Sequence, residues 1–185
     1  MPSLSEAEQR SALELARRAV VEAVSRRKLP DPIPAEGVFA QPRGVFVTLH
    51  VESRLHGCIG VIEAREPLGE AIVRCATSAA LEDPRFAPLR GDELAGLRVE
   101  LSLLSPLAPI RPESIEIGRH GLFISLHAQR GLLLPQVAVE HKFTREQFLQ
   151  ETCRKAGLRA EAWRDPEAVL LGFTCEVYSE KIQLG

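Results

Sequence analysis

The chain has 185 residues, enough for one domain that builds its own core without a disulfide framework or structural metal. Its 23 lysines and arginines nearly balance its 25 aspartates and glutamates, with no block of like charge. That balance argues against a dedicated nucleic-acid or acidic-membrane surface, and the basic–aromatic neighbours Arg85-Phe86 and Lys142-Phe143 are isolated pairs.

In chain order, residues 5–28 read as an amphipathic helix. Ser5 and Glu8 form a capping-box pattern, and Leu13, Ala16, Val20 and Val24 recur at helical spacing. This stretch carries neither a signal-peptide core nor the acid-poor bias of a transit peptide. Pro30, Pro32 and Pro34 then predict a short rigid connector. A β-hairpin follows, with Val45–Val51 and Arg54–Ile62 joined near Glu52-Ser53. Pro67 opens a helix with an apolar stripe of Leu68, Ile72, Cys75, Ala76 and Ala79, ended by "DPRF" at 83–86. Residues 96–106 alternate as a half-buried strand, with Val99, Leu101 and Leu103 on one face and Arg98, Glu100 and Ser102 on the other. A second hairpin is expected to turn at Ala128–Gly131 and close at Pro135, followed by an irregular entry into the next helix. That helix is capped by Thr144 with Gln147 and stopped by Gly157, and a last strand runs near 169–180. No apolar run approaches the roughly 18 residues of a membrane span. Hairpins without strict helix–strand alternation predict an α+β fold with mostly antiparallel pairing.

Separated stretches of the chain resemble one family. They are "LHGCIG" (55–60), "DPRF" with a following "PL" (83–89), "VELSLLSP" (99–106), "IEIGRHGLFI" (115–124), "GLLLPQVAVEH" (131–141), "FLQETCRKAGL" (148–158) and "AW" (162–163). Together they are similar to the AMMECR domain family, called AmmeMemoRadiSam system protein A in prokaryotes. The resemblance implies an α+β fold of two unequal lobes with a cleft near "LHGCIG", the larger of about 1–104 plus 165–185 and the smaller of about 105–164. It also implies association with a Memo-like protein and a radical-SAM protein. The family's signature usually reads Leu-Arg-Gly-Cys-Ile-Gly, and this chain has His56 in place of the arginine.

Cys58 is the candidate nucleophile, since a thiol becomes reactive when a cation, an imidazole or a helix N-terminus favours its thiolate. By strand parity His56 shares its face, with the two Cα atoms roughly 6.6 Å apart, while Leu55 and Gly57 lie on the other. A glycine inside a strand marks a bulge or a close approach of another group to the backbone. Gly57 and Gly60 therefore suggest exposed amides for a ligand carbonyl or phosphate, a reading favoured over the thiol itself. Asp83 and Arg85 form either a plain turn or an anion clamp. Arg119 and His120, between glycines, suit an anion-binding loop, and Gln136, Glu140 and His141 supply polar groups with Glu140 the candidate base. Glu100 is expected to be exposed unless a partner such as Arg85 accompanies it.

Cys75, Cys153 and Cys175 read as packing residues, and the absence of C-x-x-C signals neither a zinc knuckle nor a redox dithiol. His56, Cys58, His50 and Glu140-His141 match no zinc spacing, so no metal site is assigned. A cytoplasmic, reduced protein is expected, with no nucleic-acid or membrane partner and no cofactor evident. Two functions follow: an enzyme-system component centred on Cys58, His56 and Glu140, or a non-catalytic adaptor. In the second, Gly57, Gly60, Asp83, Arg85, Arg119, His120 and Gln136 hold a small anionic ligand or a peptide.

Overall fold

The computed structural model describes residues 3–26, 36–62 and 65–180. The chain separates into two compact units. One takes in the residues up to Leu104 and those from Glu176 onward, and the other is Ser105–Cys175. Both mix helices with antiparallel strands, so the fold is α+β as the hairpin pattern predicts.

The first unit begins with α1 (Glu6–Arg26), whose capping box forms as expected. The Ser5 amide donates to Glu8 at 2.8 Å, and the Glu8 amide donates back to the Ser5 hydroxyl at 3.3 Å. Its buried stripe is Ala12, Leu15, Ala16, Ala19, Val20 and Ala23, while Leu13 and Val24 flank it half-buried. Against it packs α2 (Leu68–Leu81), which buries Ala71, Ile72, Cys75, Ala76 and Ala79. Small side chains on both helices permit this close approach. The proline connector at 29–35 lies outside the described residues.

Three strands of this unit are β1 (Val45–Val51), β2 (Arg54–Val61) and β3 (Leu97–Leu104), ordered β2-β1-β3. The returning end of β7 (Val169–Ser179) lies next to β3. Val45, Val47, Leu49, Val99, Leu101 and Leu103 are fully buried in one core with α1 and α2. The hairpin turns at Glu52-Ser53 as predicted, and both residues take positive φ, of 48° and 68°.

The second unit contains β4 (Ala108–Pro109), β5 (His120–Leu126), β6 (Gln129–Leu133), α3 (Pro135–Glu140), α4 (Arg145–Lys155) and most of β7. In it β7 pairs with β4 and β5, and β5 pairs with β6. Its core gathers Ile115, Leu122, Ala138, Phe148 and Leu149, with a satellite around Ile124 and Cys153. Two expectations are corrected here. The hairpin turns at His127-Ala128, not over 128–131: His127 takes φ 53°, and Gln129–Gly131 already pair with β5. Residues 135–140 are also helical, because Pro135 at the first helical position pre-sets the required φ. The Thr144–Gln147 box caps α4, and Gly157 with φ 74° ends it. Among the described residues, no helix is long and apolar enough to cross a membrane.

Candidate functional site

The strand β2 lies at the end of the strand order, so one side of its backbone lacks a strand neighbour among the described residues. At Cys58 two side chains supply what a strand would. Its amide donates to Asp83 Oδ2 at 2.8 Å, and its carbonyl accepts from Arg85 Nη2 at 3.1 Å. Asp83 and Arg85 lock each other in turn. Arg85 Nη2 donates to Oδ2 at 2.7 Å, its Nε to Oδ1 at 3.0 Å and its amide to Oδ1 at 3.1 Å. The Asp83 side chain is 2% exposed and that of Arg85 55%. The guanidinium holds the Asp83 carboxyl far below the ordinary carboxylate range, with help from the Cys58 and Arg85 amides against the cost of burial. Arg85 is therefore a neutralised partner of Asp83, with two of its three guanidinium nitrogens engaged. As an anion clamp it is largely spent.

The glycines have steric explanations. A Cβ on Gly57 would lie 2.0 Å from the Ala79 carbonyl oxygen of α2, and one on Gly60 would lie 2.3 Å from the Phe46 ring. Both close approaches are to the protein itself. Both glycines thus have a packing reason, and the Cys58 amide between them is taken by Asp83.

Strand parity also fails at this point. Val51 pairs with Arg54 and His50 with Leu55, but Leu49 pairs with Gly57. The register slips by one residue, a β-bulge that leaves His56 without a partner across the hairpin. Leu55 thereby moves to the face of His50 and stands 44% exposed. His56 places its ring 6.1 Å from that of Phe86, and Arg85 lies over the same ring at 5.3 Å. No hydrogen bond joins His56 to Cys58 among the described residues.

Beyond the bulge, Cys58 pairs with Thr48, and Thr48 pairs with Glu100 on β3. The Cys58 amide and carbonyl point away from β1, so Thr48 and Cys58 form a non-hydrogen-bonded pair, in which side chains stand closest. Thr48 Oγ1 donates to Cys58 Sγ at 3.2 Å. At the far side of β3, Ser179 Oγ donates to Glu100 Oε2 at 2.6 Å. Thiol, hydroxyl, carboxylate and hydroxyl thus follow one another across four strands. They lie on the face opposite Val47 and Leu49, which α1 and α2 cover.

The remaining predicted residues belong to the second unit. Arg119 Nη1 donates to both oxygens of Glu116 at 3.1 Å, so its charge is offset within the loop. The Glu116 amide donates to His120 Nδ1 at 3.0 Å, which puts the proton of the neutral ring on Nε2. Gln136 lies in the first turn of α3 with its Oε1 buried and unpartnered, and Glu140 is exposed at the other end of that helix. His141 stacks on Phe143 at 5.2 Å. Among the described residues, no three His, Cys, Asp or Glu side chains are placed to hold a metal ion.

The AMMECR1 family profile matches residues 13–178. The chain belongs to the AMMECR1 family. A relative from Methanothermobacter thermautotrophicus is 42% identical over 96% of both chains. One from Aquifex aeolicus is 40% identical, covering 95% of this chain and 94% of its own. The crystal structure of the uncharacterized protein PH0010 from Pyrococcus horikoshii superimposes with a TM-score of 0.85 at 38% identity, covering 92% of this chain and 90% of that one.

In this AMMECR1 chain the signature cysteine is held by residues that motif reading separates or misses. Asp83 and Arg85 are brought to Cys58 as a lock on its peptide. No motif marks Thr48 or Ser179, and the partner of Glu100 is Ser179 and not Arg85. An unbulged hairpin turning at Glu52-Ser53 would set Thr48 opposite Gly57 and Cys58 opposite core-facing Val47, so only the bulge reveals the row.

Proposed function

We propose that this AMMECR1-family chain is the thiol-bearing component of a cytoplasmic enzyme system, with Cys58 as nucleophile. The Memo-like and radical-SAM proteins that the family resemblance implies are its working partners. One observation carries the reading: Cys58 is fixed at both backbone groups by Asp83 and Arg85, while its sulfur is turned off the core towards the Thr48 hydroxyl. The Thr48 hydroxyl fixes the direction in which the sulfur is presented, and a thiol attacks through its thiolate form. No hydrogen bond among the described residues joins His56 to the sulfur, and Glu140 is assigned no step.

Brief iodoacetamide treatment of the native protein, read peptide by peptide in the mass spectrometer, tests this. Cys75 is an internal standard, fully buried on α2 with burial pushing its thiol up to about 11. Cys58 is expected to label more than about tenfold faster than Cys75, since reactivity follows thiolate character and access. Equal rates would sink the nucleophile. The adaptor reading draws on the exposed Leu55 beside the motif, and an unreactive Cys58 would leave it the better account.

A further inference from the structure

We propose that the Cys58 site selects a cationic substrate, one that presents an ammonium or guanidinium to Glu100 while its electrophilic atom meets the thiol. This rests on the reading of Cys58 as nucleophile and gives that site a substrate class.

The charges around the sulfur decide it. The cation bonded to the Cys58 peptide, Arg85, lies on the strand edge and is neutralised by buried Asp83. On the face that carries the sulfur, the charge sharing its row is the Glu100 carboxylate. It stands two strands away, about 10 Å between backbones at the usual strand spacing. Ser179 occupies Oε2, and Oε1 has no hydrogen-bond partner among the described residues. Arg98 stands one position further towards the hairpin turn, opposite His50. It borders a groove lined by Glu6, Glu14, Glu52 and Glu180 and also by Arg10 and Arg17, the latter paired with Glu180. His50 between them is held below the ordinary histidine range, first by burial and then by Arg98, with Glu100 acting in the opposite sense. What a ligand at Sγ meets is therefore a half-buried carboxylate with one free oxygen.

Methanethiosulfonate reagents of equal size and opposite charge probe this directly. The thiolate attacks the sulfur that carries the tail, an S–S bond forms, and methanesulfinate leaves. Rates at Cys58 are measured with the aminoethyl and sulfonatoethyl reagents and divided by the same ratio for a small free thiol. The cationic reagent is expected to be favoured about threefold or more, with the preference fading in 1 M salt as screening predicts. Glu100→Gln should return the ratio to that of the free thiol. Glu113→Gln, an exposed position in the other unit, and Ser179→Ala, which keeps the carboxylate, should both retain it. A wild-type ratio at or below the free thiol, or one unmoved by Glu100→Gln or salt, overturns the proposal. The uncharged methyl reagent separately reports whether Cys58 reacts at all. A reactive thiol without charge preference would thus reject only the substrate class.

Discussion

Asp83 closes a sheet edge with one side chain. Its two oxygens accept from the Cys58 amide and from three donors of Arg85, and a carboxylate so served resists protonation. Asp83→Asn keeps the shape and one acceptor but removes the charge that holds Arg85. Because that guanidinium is largely in water, the loss is about 2 kcal/mol, below the usual cost of breaking a fully buried pair. Thermal unfolding should show it as a Tm lower by about 4–8 °C for a chain of this size. The pH dependence has a definite sign. The folded carboxyl titrates below its unfolded value, so its contribution is complete above about pH 4 and is lost as the pH falls through the folded value. The Tm difference should be flat between pH 5 and 8 and shrink below about pH 4. A difference that grows on acidification would refute the lock.

At the scale of elements, periodicity and caps make α1, α2, α4 and most strands legible in the sequence, while the short α3 reads as irregular chain. Alternation in Val99–Leu103, the Ser5–Glu8 and Thr144–Gln147 boxes and the Gly157 stop each depend on neighbours a few residues away. The partner of Cys58 depends on something alternation cannot express. Leu55 and Gly57 have the same parity, yet the bulge at His56 puts them on opposite faces. Gly57 announced an irregularity but not its kind, for the residue crowding it, Ala79, lies on another element. The bulge yields an unusual expectation. Deleting His56 removes only the unpaired residue, leaving Leu55 opposite His50, Gly57 opposite Leu49 and Cys58 opposite Thr48. Cys58 should then label with iodoacetamide within about threefold of wild type, because its access and its contact with Thr48 persist. Were His56 the activating group, the deletion would instead bring Cys58 down to the rate of Cys75.

At the scale of the molecule, the chain leaves the first unit after Leu104 and re-enters it at Glu176, and one buried side chain holds both points. Arg43 is 5% exposed; its Nε donates to the Leu104 carbonyl and its Nη2 to Glu176 Oε2, each at 3.0 Å. Glu176 also accepts from Tyr178 at 2.7 Å and from Ser3. Sequence reading passed over Arg43 because its partners lie 61 and 133 residues away. Arg43→Met preserves most of the packing volume and strips Glu176 of its cation. A cost of about 3 kcal/mol follows from leaving a half-buried carboxylate without its cation, with only Tyr178 and Ser3 still donating to it, or a Tm lower by about 6–12 °C. The sign with pH is again fixed. Burial pushes the Glu176 carboxyl up, but Ser3, Tyr178 and Arg43 together hold it below its ordinary value. Its stabilising contribution is present above the ordinary carboxylate range and is lost as the pH falls through the folded value. In the variant the same carboxyl relieves its strain by taking a proton. The gap between the two melting temperatures should therefore be widest at pH 7 and narrow towards pH 4; a gap that stays constant would mean that Arg43 acts by packing alone.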